Sequence, residues 1–313
     1  MRPKDRAVIA NVDRRLKVYA RQVRALQGIE SKDARVAFLE QVAESLHRVA
    51  YARTVAGRSV HPARMDPSSP MFDPVKGAIL CQRQGEIDEA FWLVFVFVHF
   101  GKHLRDGYRL ARDIYGRLGE GPPWTWARVS RDPKAFRAWL HSKQDALKND
   151  GVRRRFGNHR KYESLDARST TGTGEAVETY VTWVRPFGTH GRLVADAQAR
   201  VGSDPKLVFN ALYRSMAAVT RFGRTARFDY LAMVGKLGLA AIEPDSAYIS
   251  GSSGPVSGAR LFYAGDDKAQ IPAADLDRWL IELDEYLGVG MQALEDALCN
   301  WQKSPNAFKA FRG

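Results

Sequence analysis

The chain of 313 residues holds only two cysteines, Cys81 and Cys299. Two thiols exclude a four-cysteine zinc site and an iron–sulfur cluster held by cysteine alone. They also make no disulfide framework, which fits a reducing cytoplasm. Long apolar runs are missing. The longest, Ala90 to Phe100, is about half a membrane span and reads as a central buried helix. The opening residues, Met-Arg-Pro-Lys-Asp-Arg, show no signal-peptide apolar stretch. Acidic side chains are in deficit, 35 against 48 lysines and arginines, for a formal net charge of +13. A spread positive field on an aromatic-rich folded chain points to a polyanion, nucleic acid first. An anionic membrane surface competes for that reading. No segment reads as a basic amphipathic anchor with an exposed apolar face, so no membrane partner is expected.

Strand signals are scarce, so the fold is read as mainly α. The length suffices for one large or two moderate domains. Val8, Val12, Leu16, Tyr19, Val23 and Leu26 recur at three- and four-residue steps and predict a first helix. Ser31 is expected to cap a second, with Val36, Leu39, Val42, Leu46 and Val49 on one face. Residues 57–78, rich in glycine, proline and serine, read as a connecting loop. A helix from about Glu86 to His103 is apolar nearly all round and is expected inside the fold. Gly101 and Gly107 interrupt or end it, and a helix carrying Leu110, Ile114 and Leu118 follows. Residues 119–126 read as a rigid loop whose Trp124 and Trp126 are better explained by core packing than by DNA contact. Further helices are predicted near 133–147, 175–184, 192–201, 205–219, 228–239, 275–287 and 291–301. Pro205 behind Asp204 is a good helix start. Glycines and serines crowd 250–258, and Leu261-Phe-Tyr263 reads as one short strand.

The densest chemistry lies in Arg153-Arg-Arg-Phe-Gly-Asn-His-Arg-Lys-Tyr-Glu-Ser-Leu165. Cations there neutralise phosphates, aromatics stack, and Asn158, His159 and Glu163 supply donors and acceptors. The competing explanation is a solvated basic turn, or a network in which Glu163 pairs Arg160 or Lys161. A second constellation is Thr220-Arg-Phe-Gly-Arg-Thr-Ala-Arg-Phe-Asp-Tyr230, followed by Ile242-Glu-Pro-Asp-Ser-Ala-Tyr248. A turn at Gly223 between two helices would aim backbone N–H groups at a phosphate, reinforced by Arg221, Arg224 and Arg227. Asp245, behind Pro244, would face the substrate, unless it simply caps a turn. Asp229, readable as a salt-bridge partner, and Glu243 are the alternative carboxylates.

This second layout resembles the helix-hairpin-helix DNA glycosylase superfamily. That resemblance implies a hairpin on the DNA backbone and Asp245 as the catalytic carboxylate that stabilises a sugar cation or orients water. Arg224 and Thr225 stand where backbone-cleaving members carry lysine, which implies base removal without a lyase step. Val98-His-Phe-Gly-Lys-His103, Phe156-Gly-Asn-His-Arg-Lys-Tyr-Glu-Ser-Leu165, Arg227-Phe-Asp-Tyr-Leu-Ala-Met233 and Gly254-Pro-Val-Ser-Gly-Ala-Arg260 look like the alpha-glutamyl/putrescinyl thymine pyrophosphorylase family, third clade.

Together these resemblances imply a two-lobed helix-hairpin-helix glycosylase-like fold. It would be a single unit over 1–313, with intertwined lobes near 1–150 and 151–313. They imply a monofunctional DNA glycosylase that excises a hypermodified pyrimidine, glucosylated 5-hydroxymethylcytosine, from double-stranded phage DNA and leaves abasic sites, in phage defence. Asn158, His159, Lys161, Tyr162, Glu163, His99 and Lys102 are then expected to bind the flipped nucleotide. Arg153, Arg154, Arg155, Arg160, Arg221, Gly223 and Arg224 are expected to hold DNA. His99, Lys102 and His103 also suit the C-terminal dipole of their helix. The spacing of the two histidines suits a metal, but no third acidic ligand lies nearby, so no metal and no cofactor is expected. No obligate protein partner is apparent. Two alternatives stay open: a transferase that joins an amine or amino acid to a pyrophosphorylated hydroxymethylpyrimidine, and a DNA-binding protein without turnover.

Overall fold

A computed structural model describes residues 5–310, excluding the side chains of Ala52, Ala56 and Asn158. Among the described residues there is no strand, only an isolated bridge between His103 and Gly107. The α-helices are α1 (Arg6–Gln22), α2 (Lys32–Ala56), α3 (Pro74–Arg83), α4 (Ile87–Phe100), α5 (Arg109–Tyr115), α6 (Trp126–Arg131), α7 (Pro133–Ser142), α8 (Gln144–Asn149), α9 (Thr173–Val184), α10 (His190–Val201), α11 (Pro205–Ser215), α12 (Arg224–Lys236), α13 (Gly254–Ala264), α14 (Ala273–Leu287) and α15 (Met291–Trp301). The mainly helical reading therefore stands.

The chain forms two compact units. One joins the described residues up to Arg53 with those from Pro244 on, and the other is Thr54–Glu243. The boundary expected near residue 150 falls inside the second unit, because both chain ends contribute to one core.

In the terminal unit, the apolar stripes of α1, α2, α13, α14 and α15 close around Leu16, Phe38, Phe262, Leu280 and Trp301. The Phe38 ring lies 4.7 Å from Phe262 and 5.6 Å from Trp301. Ser31 caps α2 as expected, its hydroxyl accepting from the Ala34 N–H at 3.2 Å. The strand expected at 261–263 is instead the last part of α13. Phe262 and Tyr263 share a face with Val256 and Ala259, and that face is buried. Gly258 lets α13 touch α15, since a Cβ there would sit 2.4 Å from the Leu298 carbonyl oxygen.

The middle unit is built on α4, whose residues from Ala90 to Phe100 are buried except Phe97. Helix α3, whose first turn falls inside the stretch 57–78 expected to be a loop, packs beside it. Pro74 at the first turn and the Asp73 carboxylate, which accepts from Lys76 N–H at 3.2 Å, start that helix. Trp124 and Trp126 are core residues, 4% and 7% exposed.

A buried polar chain crosses this core. The Tyr230 and Tyr180 hydroxyls are 2.8 Å apart, Tyr180 is 2.7 Å from His190 Nε2, and His190 Nδ1 is 2.7 Å from Asp88. Burial pushes the His190 imidazole down, against the pull of Asp88. Neutral His190 then donates to Asp88 and accepts from Tyr180, so each member of the chain is satisfied.

Candidate functional site

The site grows from the end of α4. Gly101 stops that helix with φ +67°, and the segment 152–165 crosses directly over it. Gly157 N–H donates to the Phe100 carbonyl at 2.8 Å. The crossing needs glycine, because a Cβ on Gly157 would lie 2.7 Å from Lys102 N and 2.9 Å from Gly101 C. Backbone on both sides leaves no room to adjust.

Arg160 fastens the next turn. Its Nε donates to the Val98 carbonyl at 2.7 Å and its Nη2 to Asp229 at 3.2 Å. The Arg160 side chain is 9% exposed and that of Asp229 44%. Three residues on, Glu163 accepts from Arg221 Nε at 2.6 Å, and Arg221 Nη2 also reaches the Tyr162 carbonyl at 3.2 Å. Glu163 therefore pairs Arg221, rather than Arg160 or Lys161. Through Arg160 and Glu163, the loop 158–163 lies along both α12 and the turn before it.

That turn differs from the expected one. Gly223 has φ −66° in extended backbone, and nothing lies within 4 Å of a Cβ placed there. The left-handed residue is Arg221, φ +66°. Phe222 pins the turn to the core, stacked 5.0 Å from Phe95 at an interplanar angle of 6°. Helix α12 then opens at Arg224, behind an N-cap residue, Gly223, that has no side chain to cap the first turn.

His99 lies beneath the loop, 2% exposed and stacked on Phe95. Thr173 Oγ1 spends its only proton on the Ser164 carbonyl at 2.7 Å, so the 3.0 Å contact with His99 Nε2 is donated by the imidazole. Burial, helped by the charges of Arg160 and Arg221, pushes His99 down to about 3, leaving it neutral at pH 7. His99 thus supports the loop from below and does not face an incoming ligand.

The arginine run divides in the same way. Arg154 is buried between Asp113 (2.7 Å) and Asp150 (2.7 Å), so with Arg160 it is committed inside the protein rather than offered to phosphates. Arg155 is half-exposed and paired with Asp106 at 2.7 Å. Arg153, His159, Lys161, Tyr162 and Lys102 are exposed. The Asn158 side chain lies outside the described residues. These fates depend on Asp113, Val98 and Asp229 arriving from elsewhere in the chain, and charge spacing alone gives no sign of them.

Asp245 belongs to the terminal unit. It sits in a turn where the Tyr248 hydroxyl donates to it at 2.5 Å, Tyr248 itself having φ +48°. Glu243 is exposed in the middle unit, its N–H donating to the Pro205 carbonyl at 3.3 Å. Among the described residues no group of three or more His, Cys, Asp or Glu converges as a metal set, and no helix is long and apolar enough to cross a membrane.

No curated protein and no solved structure matches the chain. The profile of the alpha-glutamyl/putrescinyl thymine pyrophosphorylase family, clade 3, matches residues 33–313. That match corrects the expected hydrolase, because a pyrophosphorylase displaces pyrophosphate and does not cut an N-glycosidic bond with water. The role given to Asp245 at a sugar cation falls with it. Matched over nearly its whole length, the chain belongs to the alpha-glutamyl/putrescinyl thymine pyrophosphorylase family, clade 3.

Proposed function

We propose that this protein joins an amine to a pyrophosphorylated 5-hydroxymethylpyrimidine in DNA and releases pyrophosphate. The family match over 33–313 is the observation that carries the reading. The amine nitrogen attacks the exocyclic methylene carbon. The carbon–oxygen bond to pyrophosphate breaks, pyrophosphate leaves with the electron pair, and the new carbon–nitrogen centre gives one proton to a base.

Negative charge builds on the departing oxygen, so cations fixed in advance near it lower the barrier. Arg221, already oriented by Glu163, serves that purpose with Arg224 at the positive N-terminal end of α12. Asp229, half-exposed and steered by Arg160, takes the proton. His159 and Tyr162 border the modified pyrimidine, while Lys102, Lys161, Arg153 and Arg155 meet DNA phosphates.

The family description names glutamyl and putrescinyl products, so glutamate and putrescine are the amines to offer first. The test uses duplex DNA carrying 5-hydroxymethyluracil pyrophosphate, with each amine in turn. Released pyrophosphate is measured alongside the mass of the product nucleoside. Release matched mole for mole by an amine adduct supports the reading. An intact ester after prolonged incubation with excess protein overturns it.

A further inference from the structure

Among the described residues the two most exposed large apolar side chains are Tyr162, 81%, and Leu104, 75%. They lie on two segments, 102–107 and 155–162, that hydrogen bonds join at their bases. Leu104 sits at the end of the 103–107 turn, and Tyr162 follows the loop that crosses Gly101. The tips are tied together by Gly157 N–H to the Phe100 carbonyl at 2.8 Å and by Arg155 to Asp106 at 2.7 Å.

Neither tip is loose. His103 and Gly107 exchange backbone hydrogen bonds at 2.9 Å in both directions. His103 Nδ1 accepts from the N–H groups of Arg105 and Asp106 at 3.3 and 3.2 Å. Arg221 holds the Tyr162 carbonyl, and the Lys161 ammonium lies 5.0 Å from the Tyr162 ring. Exposing an apolar side chain on a rigid support costs solvation and gains nothing in the free protein. It does reduce the ordering cost of inserting that side chain into a partner.

The surrounding charge identifies the partner. Across 101–109 and 152–162 the single carboxylate is Asp106, already engaged by Arg155. Lys102, Arg105, Arg109, Arg153 and Lys161 lie in the same two segments as the apolar tips and are exposed. Exposed cations around one aromatic and one aliphatic side chain suit a polyanion built of flat apolar rings. DNA with an opened base step offers both.

We propose that the 102–106 and 159–162 tips form a DNA-unstacking ledge. Leu104 and Tyr162 press on the exposed faces of bases, and Lys102, Arg105, Arg153 and Lys161 hold the flanking phosphates. The proposal rests on the reading above only for DNA as substrate.

The test is fluorescence of duplex DNA carrying 2-aminopurine and no modified base, which brightens when the probe leaves the stack. Full-length wild type brightens the probe. Leu104→Ala and Tyr162→Ala each lose most of the brightening and bind about tenfold more weakly, while Tyr162→Phe keeps both. Circular dichroism verifies that each variant is folded. Brightening that survives in both alanine variants overturns the ledge. So does its absence in wild type, or tighter binding to vesicles of anionic phospholipid than to DNA. Pyrophosphate release is scored separately, so the ledge can fail while the transferase stands, and the reverse.

Discussion

Arg221 and Glu163 are 58 residues apart in sequence and 2.6 Å apart in the fold, with Arg221 held at φ +66°. A left-handed arginine just ahead of a buried Phe222 and a glycine that needs no special conformation fixes the guanidinium's direction by backbone, and Glu163 fixes it by charge. Two expectations follow. Glu163→Gln destabilises by about 1–3 kcal/mol, since the carboxylate is largely enclosed and its partner loses a charged acceptor. Arg221→Gly and Arg221→Ala both lose the guanidinium, yet the alanine variant is less stable by about 1 kcal/mol because only glycine accepts that backbone freely. Urea midpoints read both, and equal midpoints for the two Arg221 variants would contradict a strained turn.

Two glycines near the site behave oppositely. Gly157→Ala forces a Cβ to within 2.7 Å of Lys102 N, so it destabilises by about 2 kcal/mol or more and loosens the loop. Gly223→Ala meets open space at an ordinary φ and leaves the thermal midpoint close to wild type. Differential scanning calorimetry of both proteins checks the contrast. A stable Gly157→Ala would remove the basis for the close crossing.

Two buried groups in the middle unit give opposite pH signatures. His99 is pushed from 6.5 down to about 3, so unfolded chain binds more protons across that window. Its contribution to stability is complete above about 6.5 and is lost as pH falls. Glu89 accepts from Trp126 N–H and the Tyr115 hydroxyl, yet burial dominates and raises it from 4.5 to about 7. Its contribution is complete below 4.5 and is lost as pH rises through 7. Glu89→Gln removes the second effect alone. The stability of that variant relative to wild type therefore rises between pH 4.5 and 7, and an unchanged difference would contradict the raised carboxyl.

His99 also makes a spectroscopic prediction. Its ring stays neutral with the proton on Nε2, so its nitrogen resonances do not titrate between pH 8 and 5. Titration near the ordinary histidine value would contradict its burial.

Helices were legible where apolar residues recur in register, and the predicted span 291–301 coincides with α15. The buried α4 was legible from its composition. The start of α3 was hidden by the prolines and serines before it, although Asp73-Pro74 is itself a helix-start signal. The end of α13 reads as a strand in sequence because Leu261-Phe-Tyr263 has strand propensity, which the close approach of Gly258 to α15 overrides. Within the site, the importance of 153–165 could be read from the concentration of functional groups. Which arginines face solvent could not, because Arg154 is claimed by Asp113 and Arg160 by Val98 and Asp229, partners 41, 62 and 69 residues away.

The most direct measurement incubates the protein with DNA bearing 5-hydroxymethyluracil pyrophosphate and isotope-labelled putrescine or glutamate, using wild type, Arg221→Ala and Asp229→Asn. The account predicts equal amounts of pyrophosphate and labelled nucleoside with wild type, and a loss of about 100-fold or more in rate for each variant. Free base and abasic sites without any amine adduct would contradict it.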